Sequence, residues 1–91
     1  MSNITAGMRR RIKNEFGREK PTVWVGKRQV SQELIREIEK QLKTREVVKI
    51  KILKSALDED KASIIASTIA KQTGATLIEV RGHTFILYKR R

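Results

Sequence analysis

The chain has 91 residues, enough for one domain with a single modest core, and no cysteine, which excludes disulfides and thiolate metal sites. Twenty-one Lys and Arg against ten Asp and Glu give a formal net charge of +11, and a small domain that basic repels itself and draws polyanions, either nucleic acid or an acidic membrane surface. Hydrophobic residues make up 38% and charged residues 34% with both signs present, so the composition is that of a folded protein. The longest uncharged apolar-rich stretch, Ala62 to Ala70, is too short to span a bilayer, and no signal-peptide segment is expected after Met1. A cytoplasmic location is expected.

Thr5 is placed to cap a first helix in which Met8, Ile12 and Phe16 recur every four residues, with Gly17 as its stop. Arg9, Arg10, Arg11 and Lys13 occupy its other faces. Pro21 cannot continue a helix, so Arg18 to Pro21 is a connector. Thr22 to Val25 are β-branched or aromatic and predict a short strand. Trp24, mid-strand among valines, is expected to be buried packing.

Gly26 follows directly, with Lys27 and Arg28 behind it. Glycine here allows a backbone conformation other residues avoid and lets another backbone approach. Ser31 is a good N-cap, and Val30 and Ile35 are spaced as a hydrophobic staple. A strand, a glycine turn and a helix N-terminus leave amides and the positive end of the helix dipole facing one way. Lys27 and Arg28 add two full charges, so the segment reads as a clamp for a phosphate backbone.

The second helix is predicted from Ser31 to about Lys43, with Leu34, Ile35, Ile38 and Leu42 as its apolar stripe. Its charges balance, so the positive potential belongs to the segment before it. Val47 to Leu53 alternates as a strand with Val48, Ile50 and Ile52 on a dry face. Asp58-Glu59-Asp60 opens a third helix that runs to Thr73, with Ala62, Ile65, Ala66 and Ile69 inward and Gly74 at its end. Carboxylates at a helix N-terminus complement the dipole, a simpler reading than a metal site. Ala75 to Arg81 and Thr84 to Lys89 form a hairpin around Gly82-His83, a glycine-first loop that suits a type II′ turn. On the predicted alternation Ile78 and Val80 share a face with Ile86, and Glu79 and Arg81 take the other.

The order is α-β-α-β-α-β-β in one domain spanning residues 1–91. Strand–helix–strand steps give parallel neighbours and the hairpin adds an antiparallel strand. The fold class is α/β, a mixed four-stranded sheet flanked by three helices.

Positive charge concentrates early: residues 1–30 carry eight cations against two carboxylates. Helix one leads into the glycine loop, so its basic side and Lys27-Arg28 can form one patch, joined by Lys89-Arg90-Arg91. Such a patch fits backbone contact with nucleic acid. Only Phe16, Trp24, Phe85 and Tyr88 are aromatic, too few to suggest base stacking on an open sheet. His83 reads as an exposed turn residue, since a catalytic base needs a partner and a pocket. No nucleophile–base pair, P-loop or zinc spacing is present, so no enzyme, metal or cofactor is expected.

The runs Lys20-Pro21-Thr22-Val23-Trp24-Val25-Gly26, Val30-Ser31, Glu37-Ile38-Glu39 and Val48-Lys49-Ile50-Lys51 resemble the CRM domain (chloroplast RNA splicing and ribosome maturation). So do Thr73-Gly74-Ala75 and Val80-Arg81-Gly82-His83-Thr84-Phe85-Ile86-Leu87-Tyr88-Lys89, and the match, in order along nearly the whole chain, is to the stand-alone YhbY-type members. The resemblance implies a fold similar to the C-terminal domain of bacterial translation initiation factor three. It also implies RNA binding, with ribosomal RNA or pre-ribosomal particles as partners; a monomer is expected. The family's G-x-x-G loop falls on Gly26, Lys27, Arg28 and Gln29, where Gln29 replaces the second glycine and can donate a side-chain hydrogen bond to phosphate or ribose. The expected RNA contacts are Gly26 with its loop amides, Lys27 and Arg28 as direct charges, Gln29 as donor, and Lys20, Arg10 and Lys13 as flanking positive field.

Two other classes compete. An Alba-like DNA- or RNA-binding chromatin protein has a related fold, but uses a long hairpin arm where this chain has a tight turn. A membrane-surface role for helix one would use the stripe Ile4, Met8, Ile12 and Phe16, which is narrow and needed for the core. The expectation is RNA and no membrane.

Overall fold

The computed structural model describes residues 4–26, 30–53 and 62–90. Within them run α1 (Ala6–Phe16), β1 (Val23–Val25), α2 (Gln32–Arg45), β2 (Val47–Ile52), α3 (Ala62–Thr73), β3 (Thr76–Arg81) and β4 (Thr84–Tyr88). The α-β-α-β-α-β-β order is the expected one. The start of the third helix at Asp58-Glu59-Asp60 lies outside the described residues.

The strands form one mixed sheet in the order β1-β2-β4-β3. β1 and β2 are parallel, Val23 opposite Ile50 and Val25 opposite Ile52. β4 is antiparallel to both β2 and β3. The second strand–helix–strand step therefore does not produce neighbours, because β4 inserts between β2 and β3. The reason lies in Phe85-Ile86-Leu87, three consecutive residues that are all buried. A continuous apolar run needs cover on both faces, which a central strand has and an edge strand lacks.

The two faces carry separate clusters. On one, α2 and α3 bring Ile35, Ile38, Leu42, Ile65, Ala66 and Ile69 onto Val23, Val25, Val48, Ile50, Ile52, Phe85 and Leu87. On the other, α1 sets Ile12 among Val47, Ile78 and Ile86, flanked by Ile4, Phe16 and Tyr88. Predicted caps are in place: Thr5 Oγ1 accepts from the Met8 amide and Ser31 Oγ from the Leu34 amide, each at 3.1 Å. α2 runs two residues past the predicted end and stops at Glu46, whose φ of 64° is left-handed without a glycine. The hairpin turns on Gly82 at φ +58°, with His83 outside the positive-φ region, as the glycine-first loop requires.

Gly17 ends α1 for a different reason from the one expected. Its φ of −61° is right-handed, so conformational freedom is not the need. A Cβ at this position would stand 2.6 Å from the Lys13 carbonyl oxygen, and backbone cannot step aside cheaply. The Gly17 carbonyl in turn accepts from Lys49 Nζ at 2.8 Å, which ties α1 to β2. Gly17→Ala is expected to cost about 1–3 kcal/mol as an overpacking change, measured as a lower urea midpoint at unchanged m-value.

β3 contains a bulge between Leu77 and Glu79, where the register moves from Leu77 opposite Leu87 to Glu79 opposite Ile86. Arg9 fixes it, one guanidinium nitrogen donating to the Leu77 and Ile78 carbonyls at 2.9 Å each. The bulge overturns the predicted alternation. Ile78 faces α1 with Ile86, whereas Val80 packs with the α2–α3 cluster. Arg81, opposite Thr84, comes round to the α1 side.

Candidate nucleic-acid interface

Gly26 closes β1 beside Leu53, whose amide donates to the Val25 carbonyl at 2.9 Å. It is not among the positive-φ glycines, and an added Cβ would meet only Leu53 Cδ1 at an ordinary 3.9 Å. The expected special conformation is therefore absent, and nothing inside the described chain demands glycine here. Lys27, Arg28 and Gln29 lie outside the described residues. Beyond them Val30 packs half-buried against the α2–α3 cluster, as a staple should. The first-turn amides of α2 that Ser31 does not engage have no acceptor within the helix.

The cations of α1 divide by their partners. Arg9 is spent on the β3 bulge, and Arg11 pairs with Glu15 at 3.2 Å in a largely exposed bridge that adds little stability. Arg10 is exposed, without a protein partner among the described residues. Lys13, half-buried, lines a cleft at the C-terminal end of α1 with Asn14, Gly17, Arg18, Glu79 and Arg81. Lys20 sits in a different depression, with Phe16, Glu19, Thr22, Arg45 and Lys49. The structure thus joins Lys13 to Arg18 and Arg81 and sets Lys20 with Arg45 and Lys49; neither shares a cleft with Gly26.

Of the C-terminal cations, Lys89 and Arg90 do not join this patch. Lys89 Nζ donates to the Thr73 carbonyl at 2.9 Å, satisfying the end of α3. Lys89 and Arg90 line a groove with Glu39, Leu42 and Lys43 instead. Arg91 lies outside the described residues.

Trp24 corrects the expectation of burial: it is 54% exposed, between Val23 at 4% and Val25 at 0%. The valines take the face that α2 and α3 cover, and alternation sends the indole to the other. There α1 covers Ile78, Ile86 and Val47 and stops short of β1. Register aligns Trp24 with Lys51, Lys51 with Thr84, and Thr84 with Arg81. One row thus crosses all four strands, with Trp24, Lys51 and Arg81 exposed and Thr84 half-buried. Arg81 lies 3.6 Å from Glu79. Residue-by-residue reading missed Lys51, Arg81 and Arg18; the signal for Lys51 was its place one register step from Trp24, visible only once β1 pairs with β2.

Among the described residues no group of three or more His, Cys, Asp or Glu could hold a metal ion, and no helix is long and apolar enough to cross a membrane. His83 stands exposed at the hairpin tip.

Comparison with known proteins matches residues 4–89 to the family model of the CRS1 / YhbY (CRM) domain. The chain is 35% identical over 88 residues to "Probable RNA-binding protein MJ0652" of Methanocaldococcus jannaschii, covering 97% of this chain and 65% of that protein, so it spans just under two thirds of that relative. It is 29% identical over 86 residues to "Probable RNA-binding protein YqeI" of Bacillus subtilis, covering 94% and 88%. The solution structure of SAV1595 from Staphylococcus aureus superimposes with a TM-score of 0.82 at 22% identity, over 97% of this chain and 90% of that one, and shares the fold. With the motifs of β1, α2 and the closing hairpin in the expected order and the family match running almost end to end, this chain belongs to the CRS1 / YhbY (CRM) domain family.

Proposed function

We propose that the chain is a non-enzymatic RNA-binding domain that grips the sugar–phosphate backbone where β1 turns toward α2, with ribosomal RNA or a pre-ribosomal particle as its target. The observation that carries the polyanion reading is a set of cationic side chains without protein partners on the α1 side of the sheet: those of Lys13, Arg18 and Lys51 make no hydrogen bond or ion pair among the described residues, and that of Arg81 meets only Glu79. Like charges gathered on one face repel one another, and a polyanion offsets that repulsion. Gly26 points the same way, since its missing side chain serves no internal contact and leaves room for an external backbone. Lys27 and Arg28 then act as direct charges, Gln29 as a donor to phosphate or ribose, and Arg10 and Lys20 as outlying positive field. Two relatives carry names that state RNA binding. The two-residue turn at Gly82-His83 provides no long arm of the kind an Alba-like chromatin protein would use.

The test is charge removal at the loop. Lys27→Gln with Arg28→Gln is expected to weaken binding of single-stranded RNA by on the order of 25-fold near 0.1 M salt, since each lost phosphate contact removes about 0.7 from the log–log salt slope. The loss should be similar for unrelated sequences, with the circular dichroism melt unchanged. Parent affinity for the double variant across several salt concentrations would refute the loop assignment. Crosslinking in the native cell with sequencing of the attached nucleic acid separates ribosomal RNA from other RNA and from genomic DNA.

A further inference from the structure

We infer that the open sheet face beside α1 takes an unpaired nucleotide, its base stacked on the Trp24 indole and the adjoining phosphates held over Lys51 and Arg81. This rests on the RNA-binding reading and adds to it a base-contacting subsite distinct from the Gly26 corner.

Trp24 is the chain's single tryptophan and stands in the middle of a strand, not at a frayed end. Burying an indole is among the largest gains a small domain can make, yet this one leaves 54% of its surface in water. Its neighbour in register, Lys51, is exposed, and the Lys51 side chain has no partner among the described residues. Adjacent strands lie about 5 Å apart, so Lys51 is one step from the indole and Arg81 about 15 Å away across the row. Aromatic face and cation at that spacing match the two halves of a nucleotide, base and phosphate. Arg18 and Lys13 extend the positive field past Arg81 along the end of α1. Glu79 is the one carboxylate among the described residues of that cleft, and Arg81 lies against it. A lipid surface would ask for an apolar area around the tryptophan; here its row is Lys51, Thr84 and Arg81.

Because no second tryptophan contributes, emission reports on this position alone. The full chain is titrated with a ten-residue oligoadenylate and with an abasic oligomer of the same length, binding being followed independently by anisotropy of labelled copies. Oligoadenylate at saturation is expected to quench Trp24 emission strongly, and the abasic oligomer to bind with little quenching. Trp24→Leu should lose about 5- to 100-fold in affinity for oligoadenylate and almost nothing for the abasic oligomer, with the salt slope unchanged, because stacking releases no counterion. Trp24→Phe should keep most of the affinity, and both variants should melt with the parent. Unchanged emission at saturation, or parent affinity in Trp24→Leu, overturns the proposal while RNA binding by the rest of the surface stands. If neither oligomer nor a folded ribosomal RNA fragment binds, the RNA reading falls and this subsite with it. A blue shift that depends on protein concentration alone would put a second copy of the chain on this face, and would also overturn it.

Discussion

Raising salt from about 50 to about 200 mM is expected to weaken binding of single-stranded RNA by on the order of 300-fold, with a log–log slope near −4. The figure follows from six cations, each displacing one counterion: Lys13, Arg18, Lys27, Arg28, Lys51 and Arg81. The slope per contact on a single strand is about −0.7, so six give about −4, and the fourfold rise in salt does the rest. Total charge is a poor guide to this number. The chain has 21 basic residues, but several are occupied: Arg9 holds the β3 bulge, Lys49 the end of α1, Lys89 the end of α3, and Arg11 pairs with Glu15. Arg11→Gln should therefore leave the slope as it is, whereas Arg81→Gln should reduce its magnitude by about 0.7. Anisotropy titrations at five or six salt concentrations measure both. A parent slope shallower than about −1.5 would mean the cationic surface serves solubility and long-range steering, without close phosphate contact.

The sequence reached much of this architecture because local signals and tertiary demands agree over most of the chain. Thr5 and Ser31 read as caps and act as caps. The alternation in β2 and the stripe of α2 name the residues that fill the larger cluster. What escaped was decided by contacts distant in sequence. The bulge at Ile78 depends on Arg9, almost seventy positions away, whose guanidinium bridges two carbonyls a regular strand would turn apart. That single insertion moves Arg81 to the α1 face, and with it the far end of the Trp24 row. Trp24 itself looked buried because its neighbours are valines; period-two geometry puts valines and tryptophan on opposite faces, and only the position of α1 decides that one face stays open. The place of β4 was only partly legible: Phe85-Ile86-Leu87 is an apolar run without alternation, but so by residue type is Val23-Trp24-Val25, which lies on an edge strand. In the candidate site, Lys13 was found from its helix, but its company of Arg18 and Arg81 was not.

Phe85→Ala is expected to cost about 3–5 kcal/mol, the range for emptying a fully buried aromatic site. Phe85 is 1% exposed on the central strand β4, opposite Ile50 on one side and Val80 on the other, and faces the α2–α3 cluster. Neighbours on two strands and two helices cannot all collapse into the space, so the upper half of the range is the expected one. A domain of this length has a total stability of about 5–10 kcal/mol, so the variant should melt on the order of 20 °C below the parent. Its RNA affinity measured at 37 °C should fall too, but for a reason that differs from that of the surface variants. Ligand binds the folded form only, so saturating RNA at about a hundred times its Kd returns about 2.7 kcal/mol. Phe85→Ala should then regain most of its melting temperature and bind at 10 °C with nearly parent affinity. Lys27→Gln with Arg28→Gln should show the reverse, an unchanged melt without RNA and a smaller upward shift when RNA is added. A Phe85→Ala variant that melts within a few degrees of the parent would place the weight of the fold elsewhere than the sheet's α2–α3 face.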